Sequence, residues 1–176
     1  FLLLFQAFLV SWRWTFIIAK SNNHINLKTA FRLVLEGMFF NQSLPSTIGG
    51  DAVRIYRLSQ QNIRFRTAAS SVLLDRILGF LGLLIIALVA VPFFVIANVN
   101  EEAKFSFVIF VGLCIIVLTI FLMLKKLPSS FLRFEIFKIF VKLSLRAKSI
   151  LMNPKAAIFV TSTSISAHCC GILCVY

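Results

Sequence analysis

The chain has 176 residues, of which 60% are hydrophobic and 14% are charged, and its 18 Lys and Arg residues against 6 Asp and Glu give a formal net charge of +12. Soluble domains usually contain roughly 45–50% apolar and about 25% charged residues, so this composition excludes a water-soluble domain and a disordered chain. All 4 cysteines lie in apolar runs, which excludes a disulfide-stabilised secreted domain. The composition therefore predicts a membrane protein.

Four apolar runs approach the length of about 20 residues that a helix needs to cross the hydrocarbon core. The predicted spans are residues 1–19, 68–97, 105–124 and 156–176. Because the chain begins at Phe1 and ends at Tyr176 inside two of these runs, we expect it to be a piece of a longer protein. The predicted fold class is all-α, a polytopic bundle of transmembrane helices.

The charges between the spans predict the orientation of the bundle. Residues 125–155 carry eight Lys or Arg and one Glu, whereas residues 98–104 carry two Glu and one Lys. Cytoplasmic loops retain Lys and Arg, so segments 53–66 and 125–155 are predicted to be cytoplasmic in a plasma (inner) membrane. Within the second segment, basic residues alternate with phenylalanines at helical spacing over 129–150. This pattern predicts an amphipathic helix on the cytoplasmic leaflet.

Residues 29–51 are predicted to form a re-entrant, broken helix that enters the membrane and returns to the same side. The apolar part of this segment is too short to cross, and basic segments flank it on both sides. Pro45 disfavours helix at the preceding residue, and the pair Gly49 and Gly50 permits positive φ. Broken backbone at membrane depth is tolerated only in a protein interior or a wet cavity. The alternative is an ordinary cytoplasmic loop before an interfacial helix over 52–66.

The same turn contains groups that favour an anion. Hydroxyls, backbone amides and guanidiniums together form the predicted site for a lipid headgroup or phosphate, and they belong to Ser46, Thr47, Gly49, Gly50, Arg54 and Arg57. The start of a helix adds a partial positive charge. Asp51 is expected to be the N-cap of this helix, so it already occupies part of the positive end. The alternative is a capped helix whose arginines face anionic lipids.

Asp75 and Arg76 lie inside the span 68–97, where charges are costly and usually face the bundle interior. Adjacent helix positions point about 100° apart, so the two side chains cannot simply neutralise each other. With Asp51, they are predicted to be gating or structural charges. The expected partners are Arg13, Arg32, Arg54 or Arg57 for Asp75, and Glu36 for Arg76, while Ser71, Gly79 and Gly82 form a small-residue face that admits another helix. The alternative is that Arg76 snorkels and Asp75 only joins helices.

The sequence contains no recognised catalytic motif, and no metal or other cofactor is expected. His168 and the neighbouring cysteines lack the paired spacing of a metal site and lie in an apolar run. Nucleic acid is not expected as a partner, because phenylalanines between basic residues fit a bilayer better than stacked bases. The expected partners are anionic membrane lipids.

Two motifs carry a family resemblance. Residues 41–54 read N-x-x-L-P-x-x-x-G-G-D-x-x-R, and residues 74–79 read L-D-R-x-x-G. This region, about a quarter of the chain, resembles the flippase-like membrane family, also called the lysylphosphatidylglycerol synthase transmembrane region. The resemblance implies longer multi-pass inner-membrane proteins that handle phospholipids or polyprenyl-linked lipids, some of them beside a transferase domain.

Two functions remain open at this point. The first is a non-enzymatic translocator, in which the turn and its arginines hold a phosphate headgroup while Asp75 and Arg76 line or gate its route. The second is the membrane part of a lipid-modifying aminoacyl- or glycosyltransferase, in which the same groups present the acceptor lipid to a transferase partner. A passive scaffold would leave the charges in the span unexplained.

Overall fold

The computed structural model of the chain describes residues 1–43, 48–96, 100–124 and 135–175. These residues form seven α-helices and no strand, so the predicted all-α fold class is confirmed. In chain order the helices are α1 (Leu2–Ala19), α2 (Leu27–Ser43), α3 (Ile48–Ser59), α4 (Phe65–Ile96), α5 (Glu101–Met123), α6 (Glu135–Met152) and α7 (Pro154–Val175).

Within the described residues, four helices are long and apolar enough to cross a membrane. Their apolar stretches are Leu2–Ala19 in α1, Phe65–Phe94 in α4, Glu101–Met123 in α5 and Pro154–Cys174 in α7. With 32 residues, α4 is about 48 Å long and exceeds the ~30 Å hydrocarbon core. The chain therefore has the architecture of a multi-pass helical membrane protein.

The two shorter helices α2 and α3 pack against each other as a hairpin. Asn41 Oδ1 accepts a hydrogen bond of 2.9 Å from the Gly50 amide. Gly50 lies so close to the Gly37 carbonyl that a Cβ at this position would overlap it. No described glycine has a positive φ, so Gly49 and Gly50 do not adopt the left-handed conformation that glycine permits. Gly50 instead allows two helices to approach closely.

Both ends of this hairpin lie near the C-terminal end of α1 and the N-terminal end of α4. Asn22 after α1 and Asn62 after α3 adopt left-handed conformations, with φ of 55° and 59°, which asparagine tolerates better than most residues. Helix α6 lies across the same end, since Arg146 Nη1 is 3.4 Å from Ser21 Oγ and 3.2 Å from Ser70 Oγ. The hairpin thus leaves and returns at one end of the bundle.

Two clusters of buried apolar side chains hold the bundle together, and α1 contributes to both. The first joins α1 to the hairpin and the start of α4 through Ala7, Trp14, Ile18, Ala30, Leu33, Val34, Leu58, Ile63, Ala68 and Val72. The second joins α1 to α4, α6 and α7 through Ile17, Leu74, Leu78, Leu143, Ala147, Ile150, Ala156 and Val160. Helix α1 therefore packs against both the hairpin and α7.

Candidate functional site

Asp75 on α4 is the centre of a buried ion-pair network. Its side chain is 2% exposed, and its Oδ1 accepts a hydrogen bond of 2.9 Å from Arg13 Nε. Its Oδ2 accepts one of 3.3 Å from Arg54 Nη2. A carboxylate taken out of water is tolerated only when it is paired and hydrogen-bonded. The expectation that Asp75 finds a partner on another helix is confirmed, and two of the four candidate arginines provide it.

Arg13 extends this network from α1 to α7. Its Nη1 donates a hydrogen bond of 2.6 Å to Ser164 Oγ. The small residues of α4 make the approach possible, because a Cβ on Gly79 would lie 3.3 Å from Arg13 Nη2 and one on Gly82 would overlap Ser164. The predicted small-residue face of α4 therefore admits both α1 and α7 beside Asp75.

Arg54 on α3 is the second cation of the network, and its buried side chain packs against the ring of Trp14. Its Cζ lies 4.1 Å from the centre of the Trp14 ring, at the distance of a cation–π contact. Trp14 Nε1 in turn donates a hydrogen bond of 3.3 Å to Ser71 Oγ on α4. Gly37 leaves room for the arginine, since a Cβ there would lie 3.0 Å from Arg54 Cγ and Cδ.

The guanidinium of Arg54 keeps unused hydrogen-bond donors. Its Nε has no hydrogen-bond partner within the described residues. Its Nη1 lies 3.8 Å from Asp51 Oδ1, which is an ion-pair contact beyond hydrogen-bond length. Burial lowers the pKa of Arg54 from its ordinary value, and the carboxylates of Asp75 and Asp51 oppose this shift. Arg54 is therefore a buried cation that can still donate to an anion.

Asp51 and Arg76 form a second, more exposed ion pair between α3 and α4. Arg76 Nε donates to Asp51 Oδ2 at 2.8 Å, and Nη2 donates to Oδ1 at 2.7 Å. The side chains of Arg76 and Asp51 are 53% and 22% exposed. Because α3 begins at Ile48, Asp51 lies in its first turn, and the expected N-cap position is wrong.

Glu36 belongs to a separate group of charges on the hairpin. Its Oε1 accepts a hydrogen bond of 2.9 Å from Arg32 Nε, and its Oε2 lies 3.3 Å from Arg57 Nε in an ion-pair contact. The expected pairing of Glu36 with Arg76 is therefore wrong. Arg54 and Arg57, predicted to share one ligand site, belong to different ion-pair groups.

A cavity of about 520 Å³ opens between α1, the hairpin, α4 and α7. Its charged lining consists of Arg13, Arg54, Arg76, Asp51 and Asp75. These three arginines and two aspartates leave one net positive charge. The other polar lining residues are Gln6, Asn41 and His168, and the apolar lining includes Val10, Val34, Phe80 and Leu83. The volume lies within the range of roughly 300–1,000 Å³ typical of ligand pockets.

The residues of the predicted anion site are not all brought together in the structure. Ser46 and Thr47, like Pro45, lie outside the described residues. Gly49 lies in the first turn of α3, and the Gly50 amide already donates to Asn41. The lining of the cavity includes Arg54 but not Arg57. It also includes all three predicted gating charges, Asp51, Asp75 and Arg76.

Gln6 and His168 line the cavity but do not stand out in the sequence as site residues. Gln6 precedes Arg13 by seven residues, two helical turns, so both side chains lie on one face of α1. His168 follows Ser164 by four residues, and its Nε2 lies 3.0 Å from the Gly79 carbonyl oxygen. The sequence signal that could have identified them is a polar residue one or two helical turns from another polar or charged residue of a predicted span. Among the described side chains, no three His, Cys, Asp or Glu residues form a metal-binding group.

The family model of the lysylphosphatidylglycerol synthase TM region matches residues 1–176. A UPF0104 membrane protein of Methanocaldococcus jannaschii is 37% identical over 92 residues, which are 51% of this chain and 27% of that protein. The chain thus matches about a quarter of the length of this curated relative. No solved structure matches the chain. Since the family model covers every residue, the chain belongs to the lysylphosphatidylglycerol synthase transmembrane region family.

Proposed function

We propose that this protein binds the anionic headgroup of a membrane lipid in the cavity and passes the lipid across the membrane. The lipid is a phospholipid or a polyprenyl-phosphate-linked lipid. The state of Arg54 is the main support for this proposal. Its guanidinium is buried, its Nε has no hydrogen-bond partner among the described residues, and it lines a cavity with one net positive charge from its arginines and aspartates. Phosphate oxygens accept hydrogen bonds from a guanidinium in the same planar geometry as a carboxylate does.

The depth of the charged groups supports a route for the headgroup. Asp75 lies ten residues into α4, about 15 Å along the helix, and Arg13 lies six residues before the end of α1, about 9 Å. A charged headgroup cannot enter hydrocarbon without polar partners. The cavity supplies such partners inside the bundle, and Phe80 and Leu83 supply apolar surface for the lipid tails.

The proposed setting is the plasma (inner) membrane, with segment 125–155 and the end of the predicted segment 53–66 in the cytoplasm. The start of the latter segment belongs to α3, where Arg54 is buried in the bundle. The hairpin of α2 and α3 is then the re-entrant element, because it leaves and returns at the basic end of the bundle. The predicted break spans residues 44–51, of which residues 48–51 form the start of α3. Residues 44–47 lie outside the described part of the chain. Residues 125–134, the first part of the basic segment, also lie outside it.

Helix α6 is proposed to rest on the cytoplasmic leaflet. It buries Leu143, Ala147 and Ile150 against the bundle and exposes Lys142 and Lys148. Basic residues near an anionic membrane surface contribute about 1 kcal/mol each to attraction. This arrangement holds the cavity at a fixed depth relative to the lipid headgroups.

A translocation assay in vesicles tests the proposal. The protein is reconstituted with phosphatidylglycerol labelled on an acyl chain, and dithionite reports how much label reaches the outer leaflet. Arg54→Gln should lower the rate at least tenfold, because hydrogen bonds to charged groups contribute about 1.5–3 kcal/mol. Arg57→Gln is the matched control, one turn away on α3 and outside the cavity lining, and should keep the wild-type rate. A folded Arg54→Gln protein with wild-type transport would contradict the proposal.

The second candidate function is favoured by the family description, which names the transmembrane region of a synthase. In this function the cavity presents an acceptor lipid to an aminoacyl- or glycosyltransferase domain. The two functions share headgroup binding at Arg54 and differ in movement. Saturable lipid binding by the wild-type protein without any translocation in the vesicle assay would select the second function.

A further inference from the structure

We propose that Asp51 determines which headgroups the cavity accepts, by acting as an internal counter-ion on Arg76 that the lipid phosphate displaces. This proposal rests on the proposed function, since it assumes that the cavity binds an anionic headgroup. It assigns different roles to the two aspartates of the cavity. Asp75 joins the helices of the bundle, and Asp51 lies where the lipid phosphate would bind.

The surroundings of the two carboxylates support this division. Asp75 is inaccessible and holds hydrogen bonds from both Arg13 and Arg54. Within the described part of the chain, the Asp51 carboxylate accepts hydrogen bonds from Arg76 only, and the Arg76 side chain is about half exposed. An incoming anion can therefore reach the Asp51–Arg76 pair but not Asp75. Exchange of a carboxylate for a phosphate on Arg76 conserves both charge-assisted hydrogen bonds.

The position of Asp51 is the one that a bound phosphate would need. Its Oδ1 lies 2.7 Å from Arg76 Nη2 and 3.8 Å from Arg54 Nη1, so the carboxylate stands between the two guanidiniums. Arg54 Nε has no hydrogen-bond partner among the described residues, and Arg76 gives two of its five N–H donors, on Nε and Nη2, to Asp51. A phosphate that joins Arg54 Nη1 to Arg76 Nη2 would take the place of the Asp51 carboxylate. Asp51 consequently competes with the ligand and weakens anion binding.

The charge balance converts this competition into selectivity. With Asp51 present, the described lining carries one net positive charge, and without it the net charge would be two. A phosphodiester headgroup carries one negative charge, whereas a phosphomonoester, with a second pKa of about 6, carries close to two at neutral pH. A second negative charge in the cavity would lack a cation and would face both aspartates. Asp51 therefore favours phosphodiester over phosphomonoester headgroups.

The test is lipid binding to the purified protein in neutral detergent, measured by native mass spectrometry. The probes are short-chain phosphatidylglycerol, a phosphodiester, and short-chain phosphatidic acid, a phosphomonoester. The wild-type protein should prefer phosphatidylglycerol. Asp51→Asn should shift the ratio of the two Kd values toward phosphatidic acid by about tenfold, the order expected for one charge at contact distance in a partly exposed site.

Glu36→Gln is the matched control. Glu36 lies on the same hairpin and is 23% exposed, close to the value for Asp51, but it does not line the cavity. Glu36→Gln removes the same charge as Asp51→Asn. An equal shift in the ratio of the two Kd values in this variant would therefore assign the effect to overall charge and overturn the proposal. An unchanged ratio in folded Asp51→Asn protein would overturn it as well.

Arg54→Gln distinguishes a failure of headgroup binding from a failure of the selectivity assigned to Asp51. If it abolishes binding of both lipids while Asp51→Asn leaves their ratio unchanged, headgroup binding stands and the role of Asp51 falls. If the wild-type protein binds neither lipid, both proposals fall together. Should Asp51→Asn not fold, Arg76→Gln decides. With Asp51 retained and one cation lost, it should weaken phosphatidic acid more than phosphatidylglycerol, and equal weakening would overturn the proposal.

Discussion

The two aspartates that line the cavity show how the same side chain serves different purposes at different depths. Asp75 is buried between two arginines from separate helices, so it joins α1, α3 and α4 and, through Arg13, α7. Asp51 is partly exposed and pairs with an arginine that is half exposed. Buried pairs depend on each other because neither charge can return to water, whereas exposed pairs are weakened by solvent. The Asp75 site joins the helices of the bundle, and the Asp51–Arg76 pair is the one at which exchange with a lipid phosphate is proposed.

Removal of the buried carboxylate should have the largest effect. Asp75→Asn leaves Arg13 without its carboxylate partner and Arg54 with only the 3.8 Å contact to Asp51, and breaking a buried pair costs about 3–5 kcal/mol. We expect a lower melting temperature in detergent, measured by a thermal-shift assay, together with loss of lipid movement. Asp51→Asn, the same change at the exposed site, should lie within about 1 kcal/mol of wild type. Equal destabilisation of the two variants would remove the distinction between the sites.

The glycines of α4 and α5 give a prediction of intermediate size. A Cβ on Gly82 would overlap Ser164, the residue that receives a hydrogen bond from Arg13. Gly82→Ala should therefore push α7 away from the Asp75 network and destabilise the protein by about 1–3 kcal/mol. Gly112 has no atom within 4 Å of the added methyl group, so Gly112→Ala serves as the control.

The expected result for the control has the opposite sign. In an open helical position alanine stabilises by roughly 0.5–1 kcal/mol relative to glycine. Thermal unfolding of the two variants side by side checks both expectations. A neutral Gly82→Ala would mean that α7 is not held tightly against α4, and the buried network would then be less rigid than the geometry indicates.

The sequence was sufficient for the fold class and for the statement that Asp75 needs a partner from another helix. Both depend on quantities that can be read locally: the length of apolar runs, and the cost of a charge in a span. The particular partners could not be read locally. Arg32 and Arg13 were equal candidates, and only the rotation of α1 against α4 brings Arg13 to the carboxylate.

Gly50 and Arg76 show why the rest of the site could not be predicted. A glycine looks the same in a sequence whether it permits a left-handed turn or close packing, and only the contact of Gly50 with Gly37 and Asn41 identifies the second role. Arg76 had an acidic candidate in Glu36, but the hairpin directs Glu36 toward Arg57 and presents Asp51 instead. These outcomes depend on how α2 and α3 fit together, which residue spacing does not determine.

The smallest expected effect on stability is also the most direct test of exchange at the Asp51–Arg76 pair. Arg76→Gln removes a half-exposed cation and leaves Asp51 with access to water, so it should destabilise the protein by less than about 1 kcal/mol. Salt screens exposed charges over about 10 Å at 0.1 M and about 3 Å at 1 M, so this deficit should vanish at high salt. The deficit of Asp75→Asn should remain, because salt does not reach that carboxylate. Melting temperatures of both variants at low and high potassium chloride make the comparison. If the loss of melting temperature in Arg76→Gln also persists at high salt, the Asp51–Arg76 pair is as stable as the buried pairs of Asp75. A lipid phosphate could then not displace Asp51 from Arg76.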